Sequence, residues 1–210
     1  MRPFLVSVLV VAIGAPEAVQ SPSPVDLVKR IQARYDAIQD FTAEFSMTYQ
    51  GLLQRQKSVE RGDVKLKKPS RMWWHYTSPD KKEYVADGSQ FYTYVPQDKY
   101  GTRVPLAKAG DASTFMLFLA GKGDLVKDFT PSLAPDQAEG EWRVVLTPKT
   151  RQPDYATLTL AVDRKTLDLR GVTLASDEGT STFTFTKFRP NAGLKDSDFV
   201  FSFPKGTEIR

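Results

Sequence analysis

Two adjacent tryptophans, Trp73 and Trp74, constrain this chain more than any other feature, because neighbours on an extended strand point to opposite faces of a sheet. They sit in Arg71-Met72-Trp73-Trp74-His75-Tyr76-Thr77, a run bounded by Pro69-Ser70 on one side and Pro79-Asp80 on the other, residues that break strands and form turns. Asp87-Gly88 then supplies a tight hairpin turn before Phe91-Tyr92-Thr93-Tyr94-Val95, so Lys67 to Val95 reads as an antiparallel meander. Met72, Trp74 and Tyr76 share one face and Trp73 takes the other. A sheet with one wet face alternates cleanly between apolar and polar. This one either buries both faces, or buries one and offers the other to a ligand.

The flanking sequence extends the sheet and adds helices. After Ser23-Pro24, an N-cap and first-turn pair, Leu27, Ile31, Tyr35 and Ile38 recur at helical spacing and predict an amphipathic helix to about Gln39. From Phe41 the period becomes two: Phe41, Ala43, Phe45, Met47 and Tyr49 face one way, and Thr42, Glu44, Ser46 and Thr48 the other. Gly51 to Gln56 reads as a polar turn before a second strand carrying Val64 and Leu66. Tyr100 to Leu106 is another short strand. Thr114 to Ala120, capped by Asp111 or Ser113 and ended by Gly121, reads as a short helix apolar all round, which must be buried or lie across an apolar opening. Trp142 to Leu146, Tyr155 to Val162, Leu167 to Leu174 and Ser181 to Phe188 are strands separated by turn chemistry, and Phe199 to Phe203, stopped by Pro204, is expected to close the sheet. About ten strands with two helices predict a mainly β, α+β fold, in which one long antiparallel sheet curls into a barrel or half-barrel.

The N-terminus reads differently. Arg2, the apolar run Phe4 to Ile13 and the small residues around Ala12-x-Gly14 predict a signal peptide and leader over residues 1–20, followed by one domain over residues 21–210. The apolar run is too short for a membrane span. The chain has no cysteine, hence no disulfide and no lipid-anchoring cysteine after the apolar run, which leads to a periplasmic location in a Gram-negative cell. The formal charge of +4 is spread along the chain without the basic block that nucleic-acid binding needs. Lys65, Lys67, Lys68 and Arg71 do cluster. They either meet an acidic partner or anionic lipid headgroups, or guard a strand edge against aggregation.

Catalytic chemistry is not legible. His75, on the strand face opposite Trp74, is the chain's one histidine and has no companion cysteine, and there is no nucleophile elbow, phosphate loop or metal-spaced carboxylate series. Asp87 and Asp177 stand beside or near glycines as turn formers. The reading is of a non-enzyme without metal or cofactor. Its apolar strand positions together exceed what a small filled barrel uses. Acyl chains fit such a surface, since each buried methylene contributes about 0.8 kcal/mol, on the order of 12 for a sixteen-carbon chain.

The order of these motifs resembles the LolA family of periplasmic lipoprotein carriers. The resemblance rests on Phe41-Thr42-Ala43-Glu44-Phe45, on Lys68-Pro69 with the aromatic strand and its Ser78-Pro79 turn, and on Asp87-Gly88. It continues through Thr114-Phe115-Met116-Leu117-Phe118, Leu146-Thr147-Pro148-Lys149 and Phe199-Val200-Phe201-Ser202-Phe203-Pro204-Lys205-Gly206. It implies an unclosed antiparallel β-barrel of the LolA/LolB type whose hollow is covered by a helical lid. It also implies a monomeric chaperone that takes lipoproteins by their acyl chains from an inner-membrane ATP-binding-cassette release complex to an outer-membrane acceptor, a LolB-like protein or the membrane itself. The acyl-chain cavity is then expected at Phe45, Met47, Met72, Trp74 and Tyr76, and the lid at Ile31, Tyr35, Phe115, Met116 and Phe118. The family's arginine before the proline, which bonds lid-helix carbonyls, falls at Lys68, with Arg71 as a substitute latch. The alternative on the same fold is a lipid- or lipoprotein-sensing regulatory domain.

Overall fold

The computed structural model describes residues 22–53, 56–106 and 123–210. The expected signal peptide and the apolar helix with Phe115, Met116 and Phe118 lie outside the described residues. Helix α1 (Pro24–Asp36) leads into β1 (Asp40–Gly51), β2 (Ser58–Lys67), β3 (Arg71–Ser78), β4 (Lys82–Asp87), β5 (Gln90–Val95) and β6 (Tyr100–Pro105). A one-turn helix α2 (Leu125–Asp128) precedes β7 (Phe129–Leu133), β8 (Glu141–Pro148), β9 (Thr157–Asp163), β10 (Leu169–Ala175) and β11 (Gly179–Pro190). A 3-10 turn (Asp196–Phe199) and the two-residue β12 (Glu208–Ile209) end the chain.

These strands form one 12-stranded sheet in the order β12-β6-β5-β4-β3-β2-β1-β11-β10-β9-β8-β7. Every neighbouring pair is antiparallel except β12 on β6, which is parallel. The end strands β12 and β7 do not pair, so the barrel is unclosed, as expected. The meander is as read, and its β4–β5 turn shows why Asp87-Gly88 is there. Asp87 Oδ1 accepts from the backbone N–H groups of Ser89 and Gln90 at 2.7 Å each, and Gly88 takes φ +100°, where any side chain would also press on the Arg71 guanidinium.

Three local readings differ. Phe199–Phe203 is not a closing strand: the chain there makes the 3-10 turn and then runs unpaired, and only Glu208–Ile209 joins the sheet. The β1–β2 turn is not polar, for Leu52 and Leu53 stand exposed at its tip. Helix α1 stops at Asp36, with Ala37 as its cap, rather than reaching Gln39.

The sheet has two covered faces. Its inner face carries the main core, with Phe41, Ala43 and Phe45 of β1, Val64 and Leu66 of β2, and Met72, Trp74 and Tyr76 of β3. Leu158, Leu160 and Val162 of β9 and Phe183 and Phe185 of β11 complete it, and α1 lays Leu27, Val28, Ile31 and Tyr35 against it. On the outer face, the chain after β11 crosses β3 to β5.

Candidate functional site

The period-two reading of β1 and β3 places the expected cavity residues together on the inner face. Trp74 is 1 % exposed and meets Phe45 and Phe183 edge-on, at ring-centroid distances of 5.0 and 5.6 Å. Phe45 also stands edge-on to Tyr76 at 4.8 Å, and Tyr76 to Tyr84 at 5.6 Å. Burial, and then the neighbouring Tyr84 and Glu60, push the Tyr76 hydroxyl pKa upward. Met72 is buried on the same face, and Met47, one step further along β1 than Phe45, is only partly so. These side chains pack on one another in this conformation. Beneath α1, Ile31, Tyr35 and Ile38 leave a gap of about 10 Å³ over Leu160 and Leu169, at the lower limit for one water.

The cover is tied down by few polar contacts. Lys68, in the β2–β3 turn, donates from Nζ to the Tyr35 carbonyl at 2.5 Å and lies 4.1 Å from the centroid of that residue's ring. That carbonyl also accepts from the Ile38 N–H at 3.0 Å and belongs to the last turn of α1, where the helix dipole favours a cation. Burial pulls the Lys68 pKa below its ordinary value, against the opposing pull of Asp36. One residue earlier on the helix, Arg34 donates from Nε and Nη2 to Asp168 Oδ1 at 2.9 and 2.7 Å. Asp168 lies between β9 and β10, so the helix end is held from both halves of the sheet, across β1 and β11. Gln32 Oε1 accepts from the Leu125 N–H at 2.9 Å and joins α1 to α2. Sequence reasoning reached Lys68 through the family resemblance and missed Arg34, whose partner is 134 residues away.

Arg71, the other latch candidate, faces away from the helix. Its Nη2 lies 3.0 Å from Asp196 Oδ2, while Lys67 Nζ lies 2.8 Å from Asp196 Oδ1 and donates to the Leu194 carbonyl at 3.0 Å. Lys67 and Arg71 are thus absorbed by the C-terminal segment. That segment also accounts for Trp73: Phe201 lies 6.0 Å from Trp73, 5.5 Å from Tyr92 and 6.1 Å from Tyr94, and Phe203 packs on the same two tyrosines. The approach is close enough that a Cβ on Gly101 would stand 2.3 Å from the Phe203 ring. In this conformation Trp74 is buried on the inner face, and Trp73 is half-covered on the outer one by the C-terminal segment.

Beside this aromatic cover, His75 lies in an open groove of about 600 Å³ with Glu44, Asp63, Lys65, Trp73, Glu83 and Arg189 among its walls. The groove mixes charges of both signs. Trp73 donates its indole N–H to Glu83, and His75 Nε2 lies 3.7 Å from the same carboxylate. No group of three or more histidine, cysteine or acidic residues that could hold a metal is found among the described residues.

The geometry is that of an apolar sheet face under a clasped helix, and comparison with known proteins agrees with it. The family model described as outer membrane lipoprotein carrier protein LolA matches residues 36–202. An outer-membrane lipoprotein carrier protein of Aeromonas salmonicida is 26% identical over 184 residues, which cover 88% of each chain. Its counterpart in Chromobacterium violaceum is 23% identical over 209 residues, 100% of this chain and 98% of the other. Among solved structures, an uncharacterized conserved protein of Thermus thermophilus matches with a TM-score of 0.55 at 11% identity, covering 87% of this chain and 97% of that one, a likeness of fold alone.

Proposed function

The chain belongs to the LolA family of outer membrane lipoprotein carrier proteins, and on that premise we propose that it shelters lipoprotein acyl chains on its inner sheet face beneath α1. In this reading it works in the periplasm, after loss of residues 1–20, as one carrier domain over residues 21–210. It receives cargo from an inner-membrane ATP-binding-cassette release complex and delivers it to an outer-membrane acceptor, a LolB-like protein or the membrane itself. No bond is made or broken. No helix of the described residues is long and apolar enough to cross a membrane.

The observation that carries the reading is the contrast between a continuous apolar face and the slight polar attachment of its cover. The Lys68 hydrogen bond is charge-assisted and worth roughly 1.5–3 kcal/mol. The Arg34–Asp168 pair is part-exposed and adds about 1 kcal/mol or less. Burial of one sixteen-carbon chain contributes on the order of 12 kcal/mol. Cargo therefore outweighs the polar clasps, and its acyl chains take over the apolar contacts that Leu27, Val28, Ile31 and Tyr35 of α1 make with the core, whereas an empty protein closes. Phe45, Met47, Met72, Trp74 and Tyr76 would then line the opened face, with Ile31 and Tyr35 on the moving side and Phe115, Met116 and Phe118 completing the lid.

Lys68 is the latch in this scheme. Lys68→Leu removes what the empty closed state gains on release, so the variant loads well and hands over poorly. Lys68→Arg adds donors and does the reverse. The experiment is transfer of a labelled triacylated lipoprotein from each variant to acceptor membranes, with mass spectrometry of what co-purifies from periplasm. Equal retention by all three proteins would overturn the latch; wild-type protein that brings down no triacylated chains would overturn the carrier.

A further inference from the structure

The β1–β2 hairpin ends in a feature that the carrier reading does not use. Leu52 is 70% and Leu53 99% exposed, so nothing among the described residues covers the second of them. They follow directly on the last rung between β1 and β11, where Gly51 lies opposite Gly179. The approach there is tight: a Cβ on Gly179 would stand 2.4 Å from the Gln50 carbonyl oxygen. Leu52 N–H donates to the Glu178 carbonyl at 3.1 Å. The two hairpins are thereby pinned together, and the leucines are held outward rather than left free to fold back on the sheet.

We infer that this tip is a shallow lipid-insertion element, with the surface of a phospholipid bilayer as its partner. A protein interface of useful stability buries about 1,000 Å² or more with shape complementarity, and a two-leucine knob on a hairpin supplies a small part of that. A deformable bilayer accepts a convex apolar knob without a matching cleft. The charges around it suit that partner: Lys57 stands exposed just behind the tip, with Arg61 exposed further along β2, and the hairpin from Gly51 to Val59 carries no acidic residue. Asp177 and Glu178 on the neighbouring hairpin offset these cations, which makes the leucines the main source of affinity. The strip Phe45, Met47 and Tyr49 runs along β1 from the inner face towards this tip, with Phe45 buried and the other two half-buried, so the tip lies at the end of the sheet where this apolar strip comes nearest the surface.

The inference concerns contact with lipid and holds whether or not acyl cargo is carried, so it is tested on empty protein. Flotation with vesicles of phosphatidylethanolamine and phosphatidylglycerol is expected to recover wild-type protein and to lose Leu52→Ser/Leu53→Ser, with roughly a tenfold fall in partition for each leucine. Both positions are exposed, so circular dichroism and melting of the double variant should match wild type. Lys57→Glu is expected to weaken binding a few-fold on the anionic vesicles and to leave binding to phosphatidylcholine vesicles unchanged. Wild-type protein that fails to float, or a double-serine variant that floats equally well, overturns the inference. So does a double variant that loses transfer only when a protein acceptor is present, since the tip would then be a protein contact. Intact flotation with absent cargo transfer would leave the lipid contact standing and overturn the carrier reading alone.

Discussion

The apolar core on the sheet's inner side and the aromatic outer face of β3 to β5 are both covered, yet the covers are attached in different ways. On the inner side a separate helix lies over the core, held by Lys68, Arg34 and Gln32. On the outer side the C-terminal segment runs across the strands with Phe199 buried, Phe201 set edge-on to Trp73 and tilted against Tyr92 and Tyr94, and Phe203 edge-on to the same two tyrosines. It is fastened along its length: Asp40 Oδ1 accepts from Gly193 N–H, Lys67 and Arg71 grip Asp196, and β12 pairs with β6. Apolar packing does not distinguish the covers, for both have it. What separates them is whether polar contacts are spread along the segment or gathered at one end.

The largest test of this contrast is to delete each tryptophan. Trp74→Ala should cost about 3–5 kcal/mol in urea unfolding, the range for a fully buried aromatic, and Trp73→Ala, half-covered by the tail, less than half of that. Equal losses would mean that the outer cover is as much a core as the inner one. The next effect down concerns the clasps. Arg34→Ala with Lys68→Leu should raise amide hydrogen exchange throughout α1 by about tenfold, corresponding to ~1.4 kcal/mol, while residues 193–203 stay as protected as before. Exchange that rises equally in the tail would show that the two covers open together.

The smallest expected effect is a pH step confined to the outer cover. The hydrogen bond from Lys67, with the charges of Arg71 and Lys67, holds the Asp196 carboxyl below the usual carboxylate range. A folded-state pKa that is depressed contributes stability present above the ordinary value of about 3.9 and lost as the pH falls through the lower folded value. Protection of the tail should therefore be flat from neutral pH down to about 5 and fall below about 4. Asp196→Asn should remove the step, and α1 should not show it. A step of the same size in α1 would break the distinction.

Where the sequence was readable, one buried face had imposed its period. Phe41 to Tyr49 and Arg71 to Thr77 alternate because a slip of one residue would turn every large side chain to the wrong face. Phe199, Phe201 and Phe203 alternate too, but Phe199 ends the 3-10 turn, and Phe201 and Phe203 lie on an unpaired segment laid on an aromatic surface, without ladder pairing. The segment from Leu125 to Leu133 went unread since α2 is a single turn and β7 carries Pro131, which is tolerated because β7 is an edge strand. In the site itself, Lys68 was legible only through family resemblance. Arg34 and Asp168 carry no local signal at all, because a helix-surface arginine and a turn aspartate look alike whether or not the fold brings them together.

The gap between β12 and β7 gives this sheet a mechanical property that a closed cylinder lacks. In a closed barrel the strand number and stagger fix the interior volume, and enlarging it means breaking a rung of the ladder. Here the two end strands can spread apart by changing twist and curvature alone, with every existing rung intact. The sheet then behaves as a spring clip, whose resistance rises gradually with the width of what it grips. On the carrier reading proposed above, a clip of this kind would admit one bulky chain or several slender ones without a dedicated slot for each, and return to rest when they leave.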